Sequence, residues 1–386
     1  ILKNSFNELV DVIKGYNGRF VLLCFDTTGI HVVNDAVGFR EVYYLKQDNL
    51  VACGSTPNLL GKAFNLPFTE DKSKLEFFNS PEFKKADHTW IGFQTLYDAI
   101  SQLPPNHALE LPSGQVNRFW PSEPFKRLPV DQVAEKCAKL IRGTIESALN
   151  RYKIHIGITA GWDTRLLLTA SRDFKDRIYF YLNKPESFAE NNKDLRIARK
   201  LSASLKFKLN IVDIPEKTDE EFRKVFYTNN ILAHDKLISV FNEVYRRGWQ
   251  DTHTLSGVMG NGLARIYMHF PEGIPVTGKN IAVFSGYQNL EYPVAALEQW
   301  VSEVNPICNK LNVSIMDLFQ WEQENAHWAT RTSSEQDIVR EEVIPFNNRL
   351  LIELFWSLDP KYRYQYYPVI YIKIMKKLWQ NALSHP

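Results

Sequence analysis

The stretch that decides the fold is KIHIGITAGWDTRLLLTAS, residues 153–171. Ile154, Ile156 and Ile158 alternate in a run too short for a helix and rich in β-branched residues, which predicts a buried strand over 154–159. The small residues Thr159, Ala160 and Gly161 break it. After Trp162 and Asp163, Leu166, Leu167, Thr169 and Ala170 return at helical spacing and predict a helix over 164–172. Strand, tight turn and helix point backbone N–H groups and a positive helix end at an anion. Gly161 lets a ligand approach the backbone closely. The Thr159 and Thr164 hydroxyls can donate to phosphate oxygens, and Asp163 can hold a divalent metal. A plain strand–helix connection, with Asp163 in a capping role, accounts for the same residues without chemistry. A Walker loop is excluded, because the turn has no G-x-x-x-x-G-K-[ST] and no lysine.

Outward from this stretch the chain alternates. Strands are expected at 177–183 and 206–213, and helices at 191–204 and 219–226. Upstream, Val133, Cys137, Leu140, Ile141, Thr144 and Leu149 form one stripe of a helix over 132–152 that Asp131 can cap. Apolar β runs separated by helices imply βαβ units and a parallel sheet, with ligands beyond the carboxyl ends of its strands, where 159–164 falls. Residues 121–129 carry three prolines among polar spacers and read as a linker. Before it, short β runs at 19–26, 29–34, 40–46 and 49–53, and a hairpin joining 107–111 to 115–120, make residues 1–120 β-rich.

A hydrophobic content of 44% in 386 residues is enough for two domains with a sizeable core and argues against disorder. A net charge of +2 without a Lys/Arg run argues against a dedicated nucleic-acid surface. Cys24, Cys53, Cys137 and Cys308 lie far apart with no C-x-x-C, which fits reduced thiols in a cytoplasm. No apolar run approaches the ~20 residues of a membrane span, and no signal peptide is visible. The chain starts at Ile1 rather than Met, so an upstream segment is expected.

T-A-G-W-D-T-R at 159–165 resembles the pyrophosphate loop S-G-G-x-D-S of the N-type ATP pyrophosphatases, in particular the synthetase domain of glutamine-dependent asparagine synthetase and its relatives. Thr159 stands for Ser, Ala160 for Gly and Thr164 for Ser, each keeping a small residue or a hydroxyl. Other segments follow in the family's order. Asp194 occupies the acidic place of a D-x-x-x-A helix after the second strand. Leu255-Ser256-Gly257 resembles the opening of S-G-[DE]-G-x-D-E, but Val258, Asn261 and Gly262 replace its acids. Glu341-Glu342 followed by Ile344-Pro345-Phe346-Asn347-Asn348 resembles E-x-x-x-P-F-x-D. In residues 1–120, Gly18-Arg19-Phe20, Asp26, Asn34-Asp35-x-x-Gly38, Tyr43-Tyr44, Leu103-Pro104-Pro105-Asn106-His107, Gly114 and Phe119-Trp120 resemble the second half of the glutaminase domain.

The resemblance implies an α/β protein. A parallel-sheet PP-loop synthetase domain, adenine nucleotide alpha hydrolase-like, would occupy 131–386. An incomplete α+β N-terminal-nucleophile-like domain over 1–121 would precede it, across a linker at 122–130. It implies ATP with its pyrophosphate on Thr159, Ala160, Gly161, Trp162, Asp163, Thr164, Arg165 and Gly257. Mg²⁺ would sit on Asp163 and Asn261, and Lys373 would be the catalytic lysine, with Lys376 and Lys377 as rivals. The family's glutaminase nucleophile is a Cys after the initiator Met. No Cys stands near this start, so glutamine hydrolysis is not expected from the residues given.

The activity implied is that of an ATP-dependent amide-forming ligase, amidotransferase-like. It would adenylate a small-molecule, peptide or sugar carboxylate and pass it to a nitrogen donor, in specialised peptide or surface-polysaccharide biosynthesis. A homodimer is compatible with it; nucleic acid and membrane span are not expected. The lost acids also fit a second class, a binding or scaffold protein that kept the fold. Trp300, Phe319, Trp321 and Trp328 predict either core packing between helices in 288–340 or, with Gln323 and Arg331, the lining of an acceptor pocket.

Overall fold

A computed structural model describes residues 6–27, 29–48, 50–230, 232–266 and 269–383. Ile1 and Asn49, which figure in the sequence reading, lie outside the described residues. The chain forms two compact units, one of residues 1–125 with 268–331 and one of 126–267 with 332–386. The boundary at 125/126 falls within 122–130. The helical residues 268–331, read from sequence as part of 131–386, cluster with the first unit instead.

The first unit holds two antiparallel sheets. β1 (Val21–Asp26), β2 (Gly29–Asn34), β6 (His107–Leu111) and β7 (Val116–Arg118) form one, in that order. β3 (Tyr43–Gln47) lies between β4 (Leu50–Gly54) and β5 (Ile100–Gln102) in the other. The Asn34-Asp35-x-x-Gly38 motif is a turn cage. The buried Asp35 carboxylate accepts from the N–H groups of Phe20, Val37, Gly38, Phe39 and Arg40. Gly38 is needed there because its φ is +85°.

The aromatic residues of 300–321 are core. Trp300, Phe319 and Trp321 are buried, and the Trp321 indole donates to the Ala36 carbonyl at 2.8 Å. Beside them the buried Glu322 accepts two hydrogen bonds from Arg118, at 2.5 and 2.8 Å, and others from Asn106 and the Trp300 indole. Burial acts to raise the Glu322 carboxyl, but the Arg118 charge and hydrogen bonds outweigh it and hold the carboxyl below its ordinary range. This unit also has a half-open cavity of about 460 Å³, lined in part by Gln94, Gln102, Gln299, Trp300 and Gln323. Gln323 thus lines a cavity, while Trp321 packs.

The second unit carries a five-stranded, all-parallel sheet built from β8 (Lys153–Gly157), β9 (Ile178–Pro185), β10 (Leu209–Ile214), β11 (Thr252–Leu255) and β12 (Glu342–Val343), in the order β10-β9-β8-β11-β12. β8 is central, and its Ile154, His155 and Ile156 are all buried, as a parallel strand covered on both faces requires. Observed helices at Val130–Leu149, Trp162–Ala170, Lys193–Leu205 and Glu220–Asn229 match the expected ones with ends shifted by a few residues. Asp131 differs from its expected place. Pro129 is the cap position, and Asp131 sits in the first turn with no capping hydrogen bond. Helix Val369–Trp379 packs against both Val130–Leu149 and Trp162–Ala170, and this brings the chain's end to the first turn after β8.

Candidate functional site

From β8 the chain runs outward to β9 and β10. It then returns to place β11 and β12 on β8's other side. The strand order therefore reverses between β8 and β11. In open parallel sheets the crevice beyond the carboxyl ends at such a point is where ligands bind. Two loops meet there: 158–162, which leads from β8 into helix Trp162–Ala170, and 256–266, which follows β11.

The first loop is tied to itself and to one neighbour. Gly161 is the exposed residue at the helix cap position. The Thr159 and Thr164 hydroxyl oxygens lie 2.9 Å apart. The N–H of Thr159 donates to Thr164 Oγ1, and that of Gly161 to Thr159 Oγ1. The N–H of Ala160 donates to Asp194 Oδ1 at 2.7 Å. Asn192, which accepts from Asp194 and Leu195 as the cap of helix Lys193–Leu205, sets that carboxylate. The expected row of N–H groups open to an anion is thus partly closed from within. Asp194 acts on the loop by holding Ala160, and Arg165 is buried with its guanidinium 4.9 Å from the Trp162 ring.

The second loop is folded around Asp163. Met259, buried and at φ +77°, turns the chain. Gly257 and Gly260 press on the carboxylate: a Cβ on Gly257 would stand 2.9 Å from Asp163 Cβ, and one on Gly260 2.1 Å from Asp163 Oδ1. Arg265 Nη2 donates to Asp163 Oδ2 at 2.7 Å, and its Nη1 donates to the Gln365 carbonyl at 3.0 Å. The Tyr371 hydroxyl donates to Asp163 Oδ1 at 2.9 Å. Burial raises the Asp163 carboxyl above its ordinary range, with the Arg265 charge and the Tyr371 and Arg265 hydrogen bonds pulling against it. Burial and the Asp163 charge push the Tyr371 phenol well up, so it stays a donor.

These residues do not fit a resident Mg²⁺. Each Asp163 oxygen already holds a hydrogen-bond donor, one of them a cation. Val258 and Gly262 bring no oxygen ligand from their side chains. Asn261 is exposed and is joined to Arg265 by a backbone bridge. Among the described residues no group of three His, Cys, Asp or Glu side chains could hold a metal. Lys373 is not brought to the loop either. It donates to Asp131 at 2.7 Å on the outside of its helix. Residues two apart on a helix face away from each other, and Tyr371 takes the inner side.

The structure thus brings Thr159, Ala160, Gly161, Trp162, Asp163, Thr164 and Gly257 together, and adds Arg265 and Tyr371, which sequence reasoning missed. The signal for Arg265 was a charge reversal. After the positions where the family resemblance expects acids, Val258, Asn261 and Gly262, a base follows within the same segment.

No protein-family profile matches the chain, and a comparison with curated proteins finds no match. Solved structures overlap it in part, among them these three. NH3-dependent NAD synthetase from Campylobacter jejuni subsp. jejuni, in complex with the nitrate ion, has 14% identity and a TM-score of 0.26, over 50% of this chain and 96% of its own. NMN synthetase from Francisella tularensis has 10% identity and a TM-score of 0.27, over 53% and 96%. Glutamine-dependent NAD+ synthetase from Acinetobacter baumannii, in complex with ADP, has 10% identity and a TM-score of 0.26, over 64% and 52%. Likeness at this level assigns no activity.

Proposed function

We propose that the second unit binds ATP in the crevice between β8 and β11 and uses it to form an amide. The observation that carries this reading is the meeting of 158–162 and 256–266 at the point where the strand order reverses. In this reading the phosphates lie over Gly161–Thr164 and Gly257. A carboxylate oxygen of the substrate attacks the α-phosphorus, the bond to the bridging oxygen breaks, and pyrophosphate leaves. A nitrogen nucleophile then attacks the acyl carbon, loses a proton to solvent, and AMP leaves with the electron pair of the C–O bond. The protein's part is positioning and fixed positive charge. The lysine that the family resemblance assigns to the developing charge is bound to Asp131 here, so that part falls to Arg265.

A second reading, a nucleotide-binding protein without turnover, is favoured by the hold of Arg265 and Tyr371 on Asp163. Incubation with ATP, ammonia and a panel of amino-acid, peptide and uronic-acid carboxylates distinguishes them. Carboxylate-dependent release of AMP and pyrophosphate is the result the ligase reading expects. ATP binding by calorimetry with no AMP under any carboxylate favours the second reading, and absence of ATP binding ends both.

A further inference from the structure

We propose that Arg265 is the resident cation of this crevice and that the site takes a nucleotide polyphosphate without a divalent metal. The inference rests on the nucleotide reading above. The family resemblance puts acids where this chain has Val258, Asn261 and Gly262, and those acids would hold a metal. What the structure puts against Asp163 instead is a guanidinium, at 2.7 Å.

The guanidinium is a built group. Arg265 is 8% exposed, its Nη1 is fastened to the Gln365 carbonyl, and its Cζ lies 5.7 Å from the centre of the Tyr371 ring. Its backbone is fixed at both ends. The Arg265 N–H donates to the Gly260 carbonyl, and the Ile266 N–H to that of Arg363. Its Nε–H is buried and makes no hydrogen bond. Asp163 and the Gln365 carbonyl take two of the guanidinium's five N–H groups, and a planar fork with donors left over suits two oxygens of a phosphate, where a point charge would not.

Asp163 then has a different part from a metal ligand. It is the internal anion that occupies Arg265 until a phosphate arrives. Tyr371, whose single hydroxyl hydrogen goes to Asp163 at 2.9 Å with the Gly260 carbonyl as the alternative acceptor at 3.2 Å, holds the carboxylate in place when Arg265 Nη2 exchanges it for the ligand. The two assignments give Asp163→Asn opposite signs. If Asp163 holds a metal, the change weakens binding of metal-loaded ATP. If Asp163 competes with phosphate for Arg265, the change strengthens binding of free ATP.

Calorimetric titration of the intact chain with ATP, in excess EDTA and in excess Mg²⁺, decides between them. Wild-type protein is expected to bind ATP in EDTA at least as tightly as in Mg²⁺. Asp163→Asn should gain about threefold or more in EDTA. Arg265→Gln should lose about tenfold or more, and Arg265→Lys should recover part of that loss. Circular dichroism and melting of each variant separate a lost site from a lost fold, and the Asp163→Asn gain cannot come from unfolding. Binding only in Mg²⁺, or a loss on Asp163→Asn, overturns this inference and leaves the nucleotide reading standing. No ATP binding in either condition overturns the nucleotide reading and this inference with it.

Discussion

A methyl group on Gly260 would stand 2.1 Å from Asp163 Oδ1 and 2.8 Å from the Tyr371 hydroxyl. Neither neighbour can step aside, because each holds the other. Gly260→Ala is therefore expected to break the Asp163–Tyr371 contact and to destabilise the second unit by about 1–3 kcal/mol, as overpacking does. Gly161→Ala is the control: its Cβ would meet only the Thr159 hydroxyl, at 3.2 Å, on an exposed loop with ordinary φ. Denaturant melts of the two variants give the comparison, and equal midpoints would show that the packing around Asp163 is wrong. At this scale the sequence was half legible. Asp163, Gly161 and the two threonines declare themselves because strand, turn and helix are local. Arg265 and Tyr371 do not, because they reach Asp163 from 102 and 208 residues away, and no local pattern encodes such a meeting.

Helix Val369–Trp379 shows how an element can be read correctly and its chemistry assigned to the wrong side. Its basic residues attract attention, but its inner face is Ile370, Tyr371, Ile374 and Met375, all buried. Lys373 points outward to Asp131, whose carboxyl is held below its ordinary range first by that hydrogen bond. Such a surface pair is worth little. Lys373→Ala is accordingly expected to leave ATP affinity within about twofold and the melting temperature nearly unchanged. Tyr371→Phe, on the inner face, should alter ATP affinity and lower the melting temperature. Paired titrations and melts check this, and a large loss of nucleotide binding in Lys373→Ala would return the lysine to the site. The boundaries of the elements between 130 and 229, by contrast, were legible from periodicity to within a few residues, since buried strands and one-sided helices leave their pattern in the sequence. The membership of 268–331 was not legible. Trp321 finds its carbonyl partner 285 residues away, at Ala36.

Each unit of the molecule keeps neutral histidines inside, and this sets its response to acid. In the first unit, burial holds His107 down to about 4, and burial and the Arg331 charge hold His327 down to about 3. In the second, burial and the Arg340 charge hold His155, packed among Tyr179, Tyr181 and Trp249, down to about 4. An unfolded histidine titrates near 6.5. Between that value and the folded one the unfolded chain binds a proton that the folded chain refuses. Stability from these groups is thus complete above about pH 6.5 and falls as the pH drops toward 4. The size is on the order of 3 kcal/mol for each of His107 and His327 by pH 4, and less for His155. Glu324 works the other way. Burial raises it to about 7 and raises the Glu41 carboxyl above its ordinary range, so acidification from pH 7 favours the folded first unit through these two, while Glu322, held below its ordinary range, adds to the loss from the two histidines. In the second unit the raised Asp163 carboxyl gives a similar, partial offset. Both units are therefore expected to lose stability between about pH 7 and pH 4, and denaturant titrations at several pH values, followed by tryptophan fluorescence, measure it. His155→Phe, which suits its aromatic neighbours, should flatten the pH dependence of the second unit and leave that of the first unchanged. A chain as stable at pH 4 as at pH 7, or a His155→Phe variant with the wild-type slope in both transitions, would mean that these imidazoles are reached by water and do not govern the response.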